Sequence, residues 1–313
     1  MANQLFDSSD SFRRQPLDKG LRRELESAVI KGREIAEEAA LAALTRLSVQ
    51  ESSAADYLSD TQRALRNRLR AHGRQLGDIK SSSGEQSVSR LVSEVAYEHW
   101  HRMLFARFLE QNQLLMYDEH TSLTLEDCNE LVKEDGVARD EQEARCQTGW
   151  ELAGVLASKM LPQIFRIDSP VFEVELAPNH QRTLEQLVTN LDPDTFQAQD
   201  SLGWVYQFWQ TKRKEEVNKS EVKIGAEELS PVTQLFTEPY MVSFLLDNSL
   251  GVWWAGKRLS EAEFENAQSE QELREKAAIP AVPLNYLRFV KDENTGTWQP
   301  ASGTFESWPQ QLS

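Results

Sequence analysis

From Leu21 to Leu47 the residues Leu21, Leu25, Ala28, Ile35, Ala39, Ala43 and Leu47 recur at helical spacing, with Glu and Arg between them and no proline. This pattern predicts one long amphipathic helix whose Ala-rich stripe packs closely on a partner helix. Residues 54 to 75 read as a second helix, and SSSGEQS at 81 to 87 reads as a loop. The stretch SVSRLVSEVAYEHWHRMLFARFLEQNQLLMYDE then predicts another long helix. Val88, Leu91, Val92, Val95, Ala96, Trp100, Met103, Leu104, Phe108 and Leu109 give it a broad apolar face, central to a core. The chain is therefore expected to be mainly α.

With 313 residues, 40% of them apolar, and eight Trp and thirteen Phe, the chain has material for about two domains with real cores. No apolar run approaches the roughly 20 residues that a membrane span requires. The start, MANQLFDSSDSFRRQ, lacks the apolar centre of a signal peptide, so a cytoplasmic protein without a membrane partner is expected. Cys128 and Cys146 lie 18 apart with no CxxC pair and read as ordinary thiols. His99 and His101, two apart on a helix, diverge by about 200 degrees and cannot share a metal, so no metal site is expected.

The net charge of -16 argues against a nucleic-acid surface, yet it is unevenly spread. Residues 1 to 90 hold fifteen Lys or Arg against thirteen Asp or Glu; residues 91 to 313 hold nineteen against thirty-seven. In the slightly basic part, TQRALRNRLRAHGRQ concentrates Arg63, Arg66, Arg68, Arg70 and Arg74 on one helix. Arg63, Arg66, Arg70 and Arg74 are the candidate DNA contacts, and a solvated helix surface is the plainer alternative.

Thr124 to Ala144 reads as further helices, followed by an apolar segment around Trp150 to Phe165. Pro162, Pro170 and Pro178 interrupt the next portion, and helix resumes from about Ser201. Trp204, Tyr206, Phe208 and Trp209 on that helix suit an anchor between domains better than base stacking. The polar KRKEEVNKSEVKIGAEEL reads as an exposed turn or loop. In PVTQLFTEPYMVSFLLDNSLG, residues 231 to 251, Thr237 suits a helix cap, Pro239 the first turn and Gly251 the end. A helix start of this kind presents free N–H groups to an anionic ligand group; a capped buried helix is the alternative. Near the end, LNYLRFVKDENTGTWQPASGTF alternates around DENTG, which predicts a β-hairpin near 286–300.

Four stretches in order, VAYEHWHRMLFARFLE, LGWVYQFW, VTQLFTEPYMVSFLLDNSLGVWW and LRFVKDENTGTWQPASGTFESWP, resemble a known family. It is the N-terminal region of the large adenine-specific DNA methyltransferases of bacterial phage defence, the BREX (PglX-type) and DISARM enzymes and their type IIG restriction relatives. The likeness covers roughly residues 91 to 313 and is strongest from Leu202 to Trp254. It implies a division into a helical region at 1–85, a helical core at 86–200, and at 201–313 the entry segment of a Rossmann-like methyltransferase domain that is cut off. In that segment a helix at 237–250 lies beside the S-adenosylmethionine pocket. By position, Phe236 and Thr237 match the Phe-Thr of the family's Phe-Thr-Pro signature and are the candidate cofactor contacts. Glu238 stands between Thr237 and Pro239, so the Thr237 hydroxyl either faces a cofactor or caps the helix through the Tyr240 N–H.

The chain contains no Asp-Pro-x-x-Gly-Ser-Gly loop and no Asn-Pro-Pro motif, which in the family hold the cofactor and the adenine amino group. No catalytic residue is therefore assigned. The expected function is the N-terminal part of an adenine-N6 methyltransferase, inactive alone, which meets double-stranded DNA through the complete enzyme. Its partners would be the missing catalytic domain or defence-system subunits, docked on an exposed apolar surface around Trp253, Trp254 and the final hairpin. The alternative is a free-standing acidic helical interaction or regulatory subunit of a defence complex.

Overall fold

The computed structural model describes residues 15–134, 140, 142–163, 165, 169–220, 236–280 and 282–301. They are mainly helical, with one two-stranded sheet. Two compact units divide the chain, Gln15–Gln234 and a second containing Leu235–Ser313, where the sequence suggested boundaries at 85 and 200. Among the described residues no helix is long and apolar enough to cross a membrane.

In the larger unit, α1 (Lys19–Arg46) packs along α3 (Ser89–Gln111) and α8 (Ser201–Ser220), so residues 1–85 do not form a unit of their own. Leu25, Val29, Gly32, Ala36, Ala39, Ala40, Ala43 and Leu44 form the buried stripe of α1, each three or four residues from the next turn's member. Small residues let α3 approach closely. At Gly32 an added Cβ would lie 2.6 Å from Cη2 of Trp100, the largest fully buried side chain of α3. Val88 opens α3 without a side-chain cap; the buried Asp78 carboxylate instead accepts the Arg90 and Leu91 N–H groups at 3.0 and 3.1 Å.

Around the second half of α3, α4 (Leu125–Lys133) and α5 (Gly149–Met160) close a second cluster. Phe105, Leu109, Leu152, Leu156 and Phe165 fill it with Cys128 and Cys146, both buried free thiols. Burial raises the Cys128 thiol to about 12, so it stays protonated at neutral pH. Between the two clusters, α6 (Pro178–Thr189) and α7 (Pro193–Gln197) each begin on a proline, the first of them one that the sequence showed as a break.

The aromatics of α8 anchor it inside this one unit. Trp204, Phe208 and Trp209 are buried, Arg22 lies 4.6 Å from the Trp204 ring, and the Arg33 guanidinium donates to the Trp209 carbonyl. Asp200 fixes the start: one carboxylate oxygen accepts from the Leu17 N–H (2.7 Å) and the other from the Trp204 indole (2.9 Å). The helix runs on through KRKEEVNKS to Ser220, where a loop was expected, because nothing in that stretch breaks it and Glu215 pairs with Lys219 one turn later at 3.4 Å. The rest of the expected loop, 221–235, lies outside the described residues.

The smaller unit contains α9 (Pro239–Asp247), α10 (Leu250–Arg258), α11 (Glu261–Asn266), α12 (Glu270–Ala277) and the hairpin of β1 (Phe289–Lys291) with β2 (Trp298–Pro300). The strands pair antiparallel, Phe289 with Pro300 and Lys291 with Trp298, around the DENTG turn. Gly296 takes φ +73 there, a conformation glycine adopts without strain. Val252, Ala255, Leu259, Leu273, Ala277, Leu284, Leu287 and Phe289 form its core.

Candidate functional site

On α2 (Asp60–Gln75) the arginines that suggested a phosphate surface are occupied by the protein itself. Arg66 and Arg70 are only 5% and 6% exposed. Arg66 donates to the Ser48 carbonyl at 2.8 Å and to that of Glu51; Arg70 donates to the carbonyls of Val49, Glu51 and, at 2.7 Å, Gly84. The half-buried Arg63 donates to Leu58 and Ala55 carbonyls at 2.9 and 3.0 Å. Arg74 reaches the Gln86 side chain at 3.0 Å, and Arg68 pairs with Glu173.

The physical reason is local. The turn after α1 has the left-handed Ser48 (φ 54), and its carbonyls point away from any strand or helix partner. Guanidinium forks supply several donors in a fixed geometry, so α2 holds two irregular segments at once. Of the four candidate contacts, Arg74 is the exposed one. Arg70→Ala is expected to lower unfolding free energy by about 2–3 kcal/mol, as the loss of charge-assisted bonds to buried carbonyls requires. Urea unfolding of the two proteins checks this; a change below about 0.5 kcal/mol, the size of an ordinary surface substitution, would contradict the clamp.

At the other candidate site, Phe236 and Thr237 stand side by side before α9, Phe236 half-buried and Thr237 exposed. The helix starts one residue later than the motif suggested. Glu238 is the N-cap, extended at φ -60 and ψ 145 with no side-chain capping bond, and Pro239 takes the first helical position. The Thr237 hydroxyl makes no bond to the Tyr240 N–H, so of its two possible tasks the cap is not the one it performs. The helix ends at Asp247, not at Gly251, because Asn248 and Ser249 turn the chain. The Asn248 and Ser249 side chains donate to the Phe244 and Leu245 carbonyls at 2.9 and 2.6 Å, and Gly251 lies inside α10.

The end of α9 is tied to the approach to β1. Buried Asp247 accepts the Tyr286 N–H at 2.8 Å, while Asn248 donates to the Tyr286 carbonyl (2.7 Å) and accepts from the Arg288 N–H (3.1 Å). The flank of the helix is left uncovered. Tyr240, Met241, Val242, Phe244, Leu245 and Leu246 are all exposed, Leu245 by 63%, and Leu250 continues the surface. Seven large apolar side chains in eleven residues form a patch of the kind that marks an interaction face. The sequence located such a face at Trp253, Trp254 and the hairpin, but both tryptophans are half-buried and the Trp254 indole donates to the Ala277 carbonyl at 2.8 Å. Among the described residues no group of three or more His, Cys, Asp or Glu side chains is placed to hold a metal.

Over 228 residues, 63% of this chain, the sequence is 25% identical to the adenine-specific methyltransferase PglX of Lacticaseibacillus casei (strain Zhang). The chain resembles adenine-specific methyltransferases. A second match, 32% identical over 97 residues or 30% of the chain, is to the adenine-specific methyltransferase BrxX of Escherichia coli O9:H4 (strain HS). The aligned stretches span only 19% and 8% of these two proteins. No family model matches the chain, and no solved structure matches it. Within the resemblance, residues 231–235 at the start of the entry motif and 302–313 after the hairpin lie outside the described residues.

Proposed function

We propose that this chain is the N-terminal part of an S-adenosylmethionine-dependent adenine-N6 DNA methyltransferase of a phage-defence or restriction-modification system, working in the cytoplasm. The similarity to PglX carries the reading: it runs through most of this chain and through less than a fifth of the relative. Phe236 and Thr237 contact the cofactor from the start of α9, where the exposed Thr237 hydroxyl is not used as a cap. The apolar flank of α9 packs on the part that brings the Asp-Pro-x-x-Gly-Ser-Gly loop and the Asn-Pro-Pro-Tyr-type motif. Double-stranded DNA meets the complete enzyme, with Arg74 the one exposed member of the four candidate phosphate contacts. Methyl transfer needs the sulfonium and the adenine amino group held in line, and this chain lacks both motifs that do so.

The test joins the chain, by fusion or co-expression, to a methyltransferase polypeptide carrying those two motifs. N6-methyladenine is then measured in host DNA. Methylation is expected from the pair and not from this chain alone, and Leu245→Glu on the exposed flank should abolish both co-purification and methylation. If the pair co-purifies but leaves adenine unmodified, the interaction-subunit reading replaces this one.

A further inference from the structure

Between α10, α11 and β2 the smaller unit holds a cleft of about 540 Å³, within the range of small-molecule sites. Trp253, Phe264 and Trp298 line it, each half-buried. No two of these rings stack on each other; Phe264 meets Phe289, and Trp298 meets Lys291. The rings thus stand apart with open volume between them. Trp254 and Trp298 donate their indole N–H groups to the Ala277 and Ala267 carbonyls, both at 2.8 Å, whereas Trp253 donates to no group among the described residues.

The rim is charged and balanced. Among the described residues Lys257, Glu261 and Glu265 line it without an ion pair or hydrogen bond, although Lys257 and Glu261 are four apart; the Lys291 ammonium lies 5.8 Å from the Trp298 ring. Two cations against two carboxylates give no net attraction for a polyanion or for a bare cation. Separated aromatic walls favour a flat guest, and donors and acceptors at their edge favour one with both kinds of group.

We infer that this cleft binds the base of a nucleoside that carries an exocyclic amino group. The base lies against the aromatic walls, a rim carboxylate accepts from the amino group, and the Trp253 indole or Lys257 donates to a ring nitrogen or the sugar. The inference stands apart from the methyltransferase reading, since its readout is nucleoside binding with no methyl donor present.

Gly256 supplies the decisive variant. It lines the cleft, and a Cβ built on it meets nothing within 4 Å, so Gly256→Leu fills the volume without displacing a neighbour. Removing a glycine from within α10 also favours the helix, so Tm should hold or rise. Isothermal titration of the full chain with adenosine is expected to give saturable binding, about tenfold tighter than inosine, the factor one charge-assisted hydrogen bond supplies. Gly256→Leu should abolish it, and Trp253→Ala should weaken it about tenfold by removing a stacking wall. No saturable heat with adenosine, equal binding of adenosine and inosine, or unchanged binding by Gly256→Leu would each overturn the assignment.

Discussion

Replacing Trp100 with alanine is expected to lower the unfolding free energy of the larger unit by about 3–5 kcal/mol, the usual cost of emptying a buried aromatic site. The ring is 0% exposed in the middle of α3 and lies against α1 where Gly32 removes a side chain from its path. The same contact makes Gly32 the position where a gain in helix propensity turns into a loss. Alanine is favoured over glycine in a helix by about 1 kcal/mol. Its methyl would, however, stand 2.6 to 2.9 Å from three atoms of the indole, and a rigid ring in a packed core cannot yield without moving α3. Gly32→Ala is therefore expected to destabilise by about 1–2 kcal/mol net, overpacking of this kind costing about 1–3 kcal/mol. In a Trp100→Ala background the same substitution should be neutral or stabilising. A double-mutant cycle by urea denaturation measures the coupling, and additive effects within about 0.5 kcal/mol would show that the contact does not hold the pair together.

Acid should unfold this unit well above the range in which its carboxylates protonate. Burial lowers His99 to about 4, helped by the neighbouring Arg102, although the Val171 carbonyl accepting from Nε2 at 3.1 Å opposes the shift. Burial also lowers His101 to about 4; its ring stacks on Tyr97 at 5.2 Å and on Phe165 at 5.4 Å. Both rings are neutral in the folded state and take a proton on unfolding once the pH falls below about 6.5. The unfolded state then binds more protons, so this stability is complete above pH 6.5 and is lost as pH falls toward 4. Two such groups together lose about 4 kcal/mol between about pH 6.5 and 4.5. The lowered carboxyls of Asp140 and Glu270 give way only below the ordinary carboxylate range, which separates the two effects. Urea unfolding at stepped pH should show an uptake of nearly two protons near pH 5, reduced by one in His101→Phe, which keeps an aromatic ring between Tyr97 and Phe165. A slope that the variant leaves unchanged would remove His101 from the account.

The helical class was legible because period 3.6 was sustained over long stretches. The buried stripe of α1 runs through Leu25, Ala39 and Ala43, as the sequence pattern indicated. Gly32 escaped notice, since its importance lies in what Trp100 does to it from a distant part of the chain. The arginines of α2 were misleading for the same reason: side-chain type and helical spacing were plain, but the carbonyls they serve belong to turns at 48–51 and 84. A guanidinium on a helix looks identical in sequence whether it faces water, phosphate or an orphan carbonyl. At α9 the proline correctly marked the start, while the stop signal misled, because a glycine ends a helix only if no earlier residue turns the chain.

By itself the sequence determined the helical class, the hairpin around DENTG and the kinship with adenine-specific methyltransferases, all of which depend on local pattern or linear order. Only the tertiary structure decided that α1 belongs with α3 and α8, that Arg66 and Arg70 are buried clamps, and that the uncovered apolar face is the flank of α9 and not the tryptophans of α10. The reason is that burial and pairing are properties of two segments together. A residue's own type sets what it needs, a partner for a donor or cover for an apolar surface, and the fold settles which distant segment provides it.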